Sequence, residues 1–486
     1  MDETAKPVSE ELDDLFVGSG NTKSRFSIPI LRRYVSHIEV VIFLVFLGYG
    51  IGNELSTSYP IFYNTLKNSP NASIFTGRNS SYCIPYGLLP KPNITNKPSS
   101  QHHELSPVVW IAIVNSVYIL PSAFFSIIYS VWSDQYRSRR TFLIMSMTGI
   151  FIQIIGYIIT IATISSPAGF IVGNVMSGIF GGYPTFIFCC YAYVVDLNSQ
   201  SSRTSRFVYI QLAQLLTQGI ATIVGEQWAK YYGFIPPLAL SAVVVALAIF
   251  YVWYLLEAPN VKASIYDMKR TREYAADISK NIAFFFKTIF KSRDNKVHYC
   301  LIWVIISFVL LSVIGFFETI NLYLSGYPYC WSIDKVLIYD CGREIAMGAG
   351  AVIGWLLFKG CFTELTIAGI GITFMIMETI MISVTTSSSV LFGSIGVGAI
   401  GGVTLPCLLS ILSRLVSEDE QGILFCFAGL LQLIIAIIGL PTFLGIFMAS
   451  RVVNPAMVFI VMTAILVVPK VIVWVLSFRE CRQTRE

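Results

Sequence analysis

Twelve apolar stretches, most of them longer than a bilayer is thick, run through this chain, and nearly all of its Lys and Arg fall in alternate connections between them. A helix rises about 1.5 Å per residue, so roughly 20 apolar residues cross a hydrocarbon layer ~30 Å thick. The spans read as 38–59, 107–131, 141–163, 168–195, 206–225, 234–256, 299–324, 344–358, 365–385, 389–413, 422–447 and 454–478. The eighth is short, because its start is set by the charges at Asp340, Arg343 and Glu344. With 55% hydrophobic and 13% charged residues, the chain has more apolar surface than one water-soluble core can hide. The expected fold class is an all-α membrane protein of twelve transmembrane helices, solvated largely by lipid.

The basic residues set the orientation. Of the 33 Lys and Arg, 25 lie on the side of the N-terminus and 8 on the other. Basic loops stay cytoplasmic, which places both termini inside and makes the net charge of +5 a topology signal with no call for nucleic acid. The polar, Pro-rich connection 60–106 then faces outward and carries three N-x-[ST] sequons, at Asn71, Asn79 and Asn93, as a glycosylated external loop would. The first 37 residues are polar and charged, so the first span itself is expected to act as the insertion signal.

Cys189, Cys190, Cys300, Cys407 and Cys426 lie in or at apolar spans, where a small buried thiol is the ordinary reading. Cys83, Cys330 and Cys341 are read in external connections open to oxidation, and Cys330 has two candidate partners, Cys83 and Cys341. No Cys/His spacing fits zinc, and no cofactor or metal is expected. The four His, at 37, 102, 103 and 298, lie at or outside helix ends, so the chain is not read as an enzyme.

From Glu257 to His298 the sequence turns polar and strongly basic, with six spans on either side. The expected layout is a cytoplasmic tail 1–37, a six-helix bundle 38–256, a basic linker 257–298, a second six-helix bundle 299–478 and a tail 479–486. Such a plan suits transporters that hold solute between two related bundles near mid-membrane. NELSTSYP (Asn53 to Pro60) on span 1 and NLYLSGYP (Asn321 to Pro328) on span 7 share Asn, Tyr and Pro in register, as the first helices of two related halves would.

Loop 2–3 reads WSDQYRSRR (Trp132 to Arg140), loop 4–5 reads AYVVDLNSQSSRTSR (Ala192 to Arg206) and loop 10–11 reads SRLVSEDEQGILF (Ser413 to Phe425). The Asp followed by a basic cluster resembles the loop signature of the major facilitator superfamily. Together with YPYCW (Tyr327 to Trp331) and Glu39, these segments are similar to solute carrier family 46, the proton-coupled folate transporter and its relatives, over nearly the whole chain from span 1 to span 12. The resemblance implies the two-bundle facilitator fold, a symporter of a small organic solute, a residence at the plasma membrane or in an endolysosomal membrane, and a disulfide between Cys83 and Cys330.

Asp134, Arg137, Arg139 and Arg140 sit at the inner end of span 2, and Asp196, Arg203 and Arg206 at the ends of spans 4 and 5. Ser417 and Glu420 form a capping-box pattern opening span 11, which aims a positive helix terminus at the same face. Charge pairs of this kind can hold the inner ends of two halves together, and the resemblance implies that they form the inner gate. Their ordinary alternative is a set of orienting charges.

Ionisable residues inside the membrane need a partner or water. Glu54, Glu318 and Glu378 are the three read there, with Glu378 expected on a peripheral helix facing lipid or the external end. Glu318 and Asn321 share a face, Asn53 precedes Glu54, and the spacing pairs Asn115 with Tyr118 and Gln211 with Gln214. These eight, Asn53, Glu54, Asn115, Tyr118, Gln211, Gln214, Glu318 and Asn321, are the expected lining of a solute-binding cavity, with Tyr183 and Tyr209 adding flat apolar contact. Each polar one has the alternative of an interhelical hydrogen bond.

Departures from the resembled pattern restrict the solute. Gln211 stands where the folate branch has Glu, Leu409 where it has Arg and Val313 where it has His; Gln cannot carry a titrating proton, and Leu cannot hold an anionic solute. Folate is therefore not the expected solute, and a co-transported proton would have to use Glu54, Glu318 or Asp196. The expected partners are a small organic solute, a proton and the lipid bilayer. The alternative is a sensor on the same bundle, which binds solute without net flux.

Overall fold

The computed structural model describes residues 38–68, 107–136, 138–163, 166–256, 278–293, 295–451 and 453–483. The expected glycosylation sites Asn71, Asn79 and Asn93, the cysteine Cys83 and the gate residue Arg137 lie outside them, as do the side chains of Asn115 and Glu318. Among the described residues there is no strand, and twelve helices are long and apolar enough to cross a membrane. The protein is an integral, multi-pass membrane protein.

Span 1 is Ile38–Asn68, span 2 Pro107–Tyr136 and span 3 Arg139–Ala162. Span 4 is made of Phe170–Ile179 and Gly182–Leu197; span 5 is Arg203–Tyr232 and span 6 Ile235–Tyr254. In the second half, span 7 is Lys296–Ser325, span 8 Ile333–Phe358 and span 9 Glu364–Val384. Span 10 combines Ser388–Gly398, a tighter turn Ala399–Val403 and Thr404–Arg414; span 11 is Gln421–Ser450 and span 12 Met457–Gln483.

The neighbours of each helix repeat between the halves. In the first six spans the close pairs are 1 with 5, 1 with 6, 3 with 6, 3 with 4 and 2 with 4. In the second six they are 7 with 11, 7 with 12, 9 with 12, 9 with 10 and 8 with 10, the same pairs shifted by six. The pairs that join the halves obey the same exchange: 5 with 8 mirrors 11 with 2, and 4 with 11 mirrors 10 with 5. Two six-helix bundles related by an approximate two-fold axis produce this pattern.

Lipid is as apolar as Leu, so close packing and small residues bring membrane helices together. Gly181, at φ +84°, breaks span 4, a conformation that L side chains rarely adopt. Gly402 lies in the tight turn of span 10 against the Met347 carbonyl of span 8, where any side chain would collide. Gly393 and Gly396, on the same span, have open space around them.

Three expectations are corrected. Span 8 starts at Ile333, eleven residues before the reading of 344, so Asp334, Asp340 and Arg343 are helical. Cys341 is consequently a buried, free thiol within span 8, not a loop cysteine. Cys330 is disulfide-bonded, and Cys341 is not its partner. Thirdly, the basic linker contains a helix, Ile278–Ile289, which buries Asn281, Phe285, Thr288 and Ile289 against span 2 of one half and span 11 of the other. Its other face exposes Ile278, Phe284 and Phe286.

Candidate functional site

Two constellations join the halves. The first lies at the end of the bundle that carries the basic loops. The Asp134 carboxylate accepts hydrogen bonds from the Gly422 and Ile423 backbone N–H groups, both at 2.8 Å, where span 11 begins. Those N–H groups have no partner inside their own helix, and they carry the positive end of its dipole. Asp134 also pairs with Arg139 at 2.5 Å, and Arg139 reaches Asp196 at 3.1 Å and Ser133 at 3.0 Å. Asp134 and Arg139 are 5% and 1% exposed, so this cluster is dry, and removing one member leaves another charge unpaired.

A second group of bonds ties span 5 to the other half at the same level. Arg203 donates to Ser413 at 3.3 Å and to Glu418 at 3.4 Å, while Thr204 meets Ser410 at 2.7 Å and Glu364 at 2.5 Å. Trp355 of span 8 donates to Ser205 at 2.9 Å. Arg206 stays within its half, bonded to Glu39 at 2.9 Å, and Arg140 donates to the Trp253 carbonyl. The capping box does not form: Ser417 is exposed and makes no cap bond, and Glu420 pairs with Lys291 and Arg293 beside the linker helix. Asp134 supplies from the opposite half the carboxylate that the span 11 terminus attracts. A cavity of about 1230 Å³ opens beside these bonds, among Lys296, His298, Lys359, Arg414 and Arg479.

The second constellation lies further along span 5. Glu54 of span 1 accepts from Gln218 at 3.4 Å and Thr222 at 3.3 Å, long bonds for a carboxylate. Ser58, one turn on, donates to Glu226 of span 5. From span 8, Asp340 lies beside Asn321 of span 7. Glu344 is 6% exposed with Oε2 unpartnered. Glycines let these carboxylates approach span 5: a Cβ at Gly219 would lie 3.2 Å from Glu344 Cβ, and one at Gly225 would lie 3.5 Å from Glu54 Cβ. The charge of Glu54 acts on those of Glu226, Asp340 and Glu344, across the boundary between the halves.

Between the two constellations lies an aromatic layer. Tyr49 stacks on Tyr183 with centroids 5.6 Å apart, and Phe46 meets Tyr183 edge-on. Tyr118 accepts from the Tyr183 N–H at 2.6 Å, and Gln214 donates to the Tyr183 hydroxyl at 3.2 Å. That hydroxyl also lies near Gln432 of span 11, in the other half. Tyr49 is five residues from Glu54, about 8 Å along the helix axis.

Of the expected lining residues, the structure brings Glu54 and Asn321 to the carboxylates, and Tyr118 and Gln214 to the aromatic layer. Asn53 is exposed beside Glu54, and Gln211 is buried without joining either set of bonds. Tyr209 is exposed. Glu378 corrects its expectation: it is 1% exposed, and Arg343 binds it at 2.8 Å through Nε and 3.4 Å through Nη2. Sequence reasoning missed Glu226, Asp340 and Glu344. Asp340 and Glu344 fall before and at the start expected for span 8 at 344, and Glu226 falls one residue past the end expected for span 5 at 225, so none of the three is expected inside the membrane.

The sequence profile of the Major Facilitator Superfamily matches residues 40–440. The chain belongs to that superfamily. Within it, the chain resembles solute carrier family 46. It is 23% identical over 368 residues to the proton-coupled folate transporter of Rattus norvegicus, covering 76% of this chain and 78% of that protein. It is also 23% identical over 442 residues to the lysosomal proton-coupled steroid conjugate and bile acid symporter of Homo sapiens, covering 89% and 92%. Among solved facilitator structures, the human organic anion transporter TETRAN superposes with a TM-score of 0.63 at 13% identity, over 89% of this chain and 99% of that one. A bacterial homologue of the iron transporter ferroportin superposes with a TM-score of 0.61 at 10% identity, over 90% and 98%. At such identities the structures share the fold, and the chemistry has to be read from this facilitator's own residues.

Proposed function

We propose that the protein is a secondary active or facilitative transporter of a small organic solute, working by alternating access and coupled to protons. The carrying observation is that Glu54 and Glu344, carboxylates from opposite halves, both pack against glycines of span 5. Carboxylates inside a membrane bundle are costly and mark solute or ion pathways. The basic end is cytoplasmic by the distribution of Lys and Arg, so the Asp134 and Arg203 bonds form a closed cytoplasmic gate. Opening requires exchange of those bonds for water, which a rocking of one half against the other provides.

Glu54, Asp340 and Glu344 bring carboxylates of both halves to span 5, and the solute and the proton are linked by acting on the same groups. Two relatives whose names describe proton-coupled carriers support the coupling. The test is a metabolite uptake screen in proteoliposomes with no proton gradient and with gradients of either direction. A gradient of one direction is expected to stimulate uptake, and Glu54→Gln and Glu344→Gln each to reduce that stimulation about tenfold, as loss of a charge-assisted contact does. Normal uptake and unchanged gradient dependence in both variants contradict the assignment. Saturable solute binding without flux identifies a sensor instead.

A further inference from the structure

The carboxylates along the middle of span 5 outnumber the cation that adjoins them. Glu54 faces Glu226, Asp340 and Glu344, and Asp340 faces Glu344; Arg343, beside Asp340 and Glu344, gives its Nε and Nη2 to Glu378 and keeps only Nη1 without a hydrogen-bond partner. Its Nε binds Glu378 at 2.8 Å, and its guanidinium lies 3.8 Å above the Phe316 ring. With Glu378 included, five carboxylates meet one guanidinium. Toward the end of the seam, Lys230 and Asp334 pair at 3.0 Å and cancel. Glu318 lies on span 7 three residues before Asn321 and adds no cation.

A separate observation points to a ligand. The Glu344 carboxylate is buried to 6% exposure, and its Oε2 has no hydrogen-bond partner. A desolvated carboxylate oxygen without a donor is unfavourable, and an ammonium group seated against it supplies both donor and counter-charge. An anion brought to the same place faces four like charges. Tyr49 and Tyr183, stacked about 8 Å along the helix axis, present ring surface to the flat or apolar body of such a solute.

We propose that the solute is a small organic cation, an amine or quaternary ammonium on a flat apolar body, with its charge held between Glu54 and Glu344 and its body against Tyr49 and Tyr183. The inference rests on the transport reading of the same site. It also fixes the sense of coupling. Ionised carboxylates hold the cation and protonated ones release it, so cation and proton exchange across the membrane in opposite directions.

Binding of labelled methylphenylpyridinium, tetraethylammonium and phenethylamine is measured on the full chain in lipid nanodiscs, with folate and a steroid sulfate as anionic probes. At least one cation is expected to bind saturably, with affinity falling about tenfold in both Glu344→Gln and Asp340→Asn proteins that elute as monodisperse species. The anions are expected neither to bind nor to displace it. The proposal is overturned if no cation binds, if both variants bind the cation as well as the unaltered chain, or if an anion displaces it. A flux arm in proteoliposomes separates the two readings. Proton-driven anion uptake keeps the transport reading and ends the cation one, whereas cation binding without flux keeps the site and ends the transport reading.

Discussion

Arg343 shows how one side chain constrains the chemistry around it. A guanidinium in a bilayer-spanning bundle persists only with a counter-charge and hydrogen bonds, and Glu378 supplies both at 2.8 Å in a place where each side chain is at most 3% exposed. Removing one partner leaves the other charge buried and unpaired, at a cost of about 3–5 kcal/mol. Arg343→Leu and Glu378→Leu are therefore each expected to lower the thermal midpoint of the solubilised protein markedly, and the double variant to recover most of the loss. Equal, additive losses in a double-mutant cycle contradict the pairing. This pair was not legible in the sequence. Asp334, Lys335, Asp340 and Arg343 depress the hydropathy of the first turns of span 8, and the partner Glu378 is distant in the chain. Glu54 was legible because it stands alone in an apolar stretch. Asp134, Arg139 and Arg203 were legible as charges at the inner helix ends, but the bonding of Asp134 to the start of span 11 involves the other half of the molecule and has no local signature.

Spans 4 and 10 are interrupted at glycines, Gly181 in span 4 and the tight turn Ala399–Val403 in span 10. The structure distinguishes glycines that the sequence does not. Gly402 is pressed against the Met347 carbonyl of span 8, whereas Gly393 has open space. Gly402→Val is expected to abolish the folded, monodisperse protein, and Gly393→Val to leave its yield and thermal midpoint unchanged. Comparable losses from both, followed by size-exclusion profiles, contradict the assigned packing of span 10 on span 8. The linker helix Ile278–Ile289 escaped sequence reading for a different reason. Its apolar residues fall at helical spacing on one face, but the Lys and Arg around them dominate the composition of a segment that reads as a basic connection. Its packing on one helix from each half places it where relative movement of the halves must displace it or carry it along.

At the scale of the whole molecule, the repetition of helix pairs shifted by six, and their exchange across the boundary between halves, describes two bodies that meet along spans 5 with 8 and 2 with 11. Apolar periodicity and the asymmetry of Lys and Arg made the twelve spans and their two-by-six grouping readable, because the bilayer imposes both directly. Which carboxylates face one another across the boundary depends on helix rotation, and one sequence carries no record of that. The Asp134, Arg203 and Thr204 bonds join the two halves at the basic end, where the proposed gate is closed, while the carboxylates and the aromatic layer lie deeper along span 5. A carrier built this way has to open that end in turn. The most direct test is the distribution of distances between spin labels at Gln200→Cys in the first half and Lys359→Cys in the second, in lipid nanodiscs and on a background with Cys300 and Cys361 replaced by Ser. Two populations are expected, a short one matching the closed gate and a longer one that grows when Asp134→Ala removes the cap of span 11. A single short distance, unchanged by Asp134→Ala, contradicts movement of one half against the other.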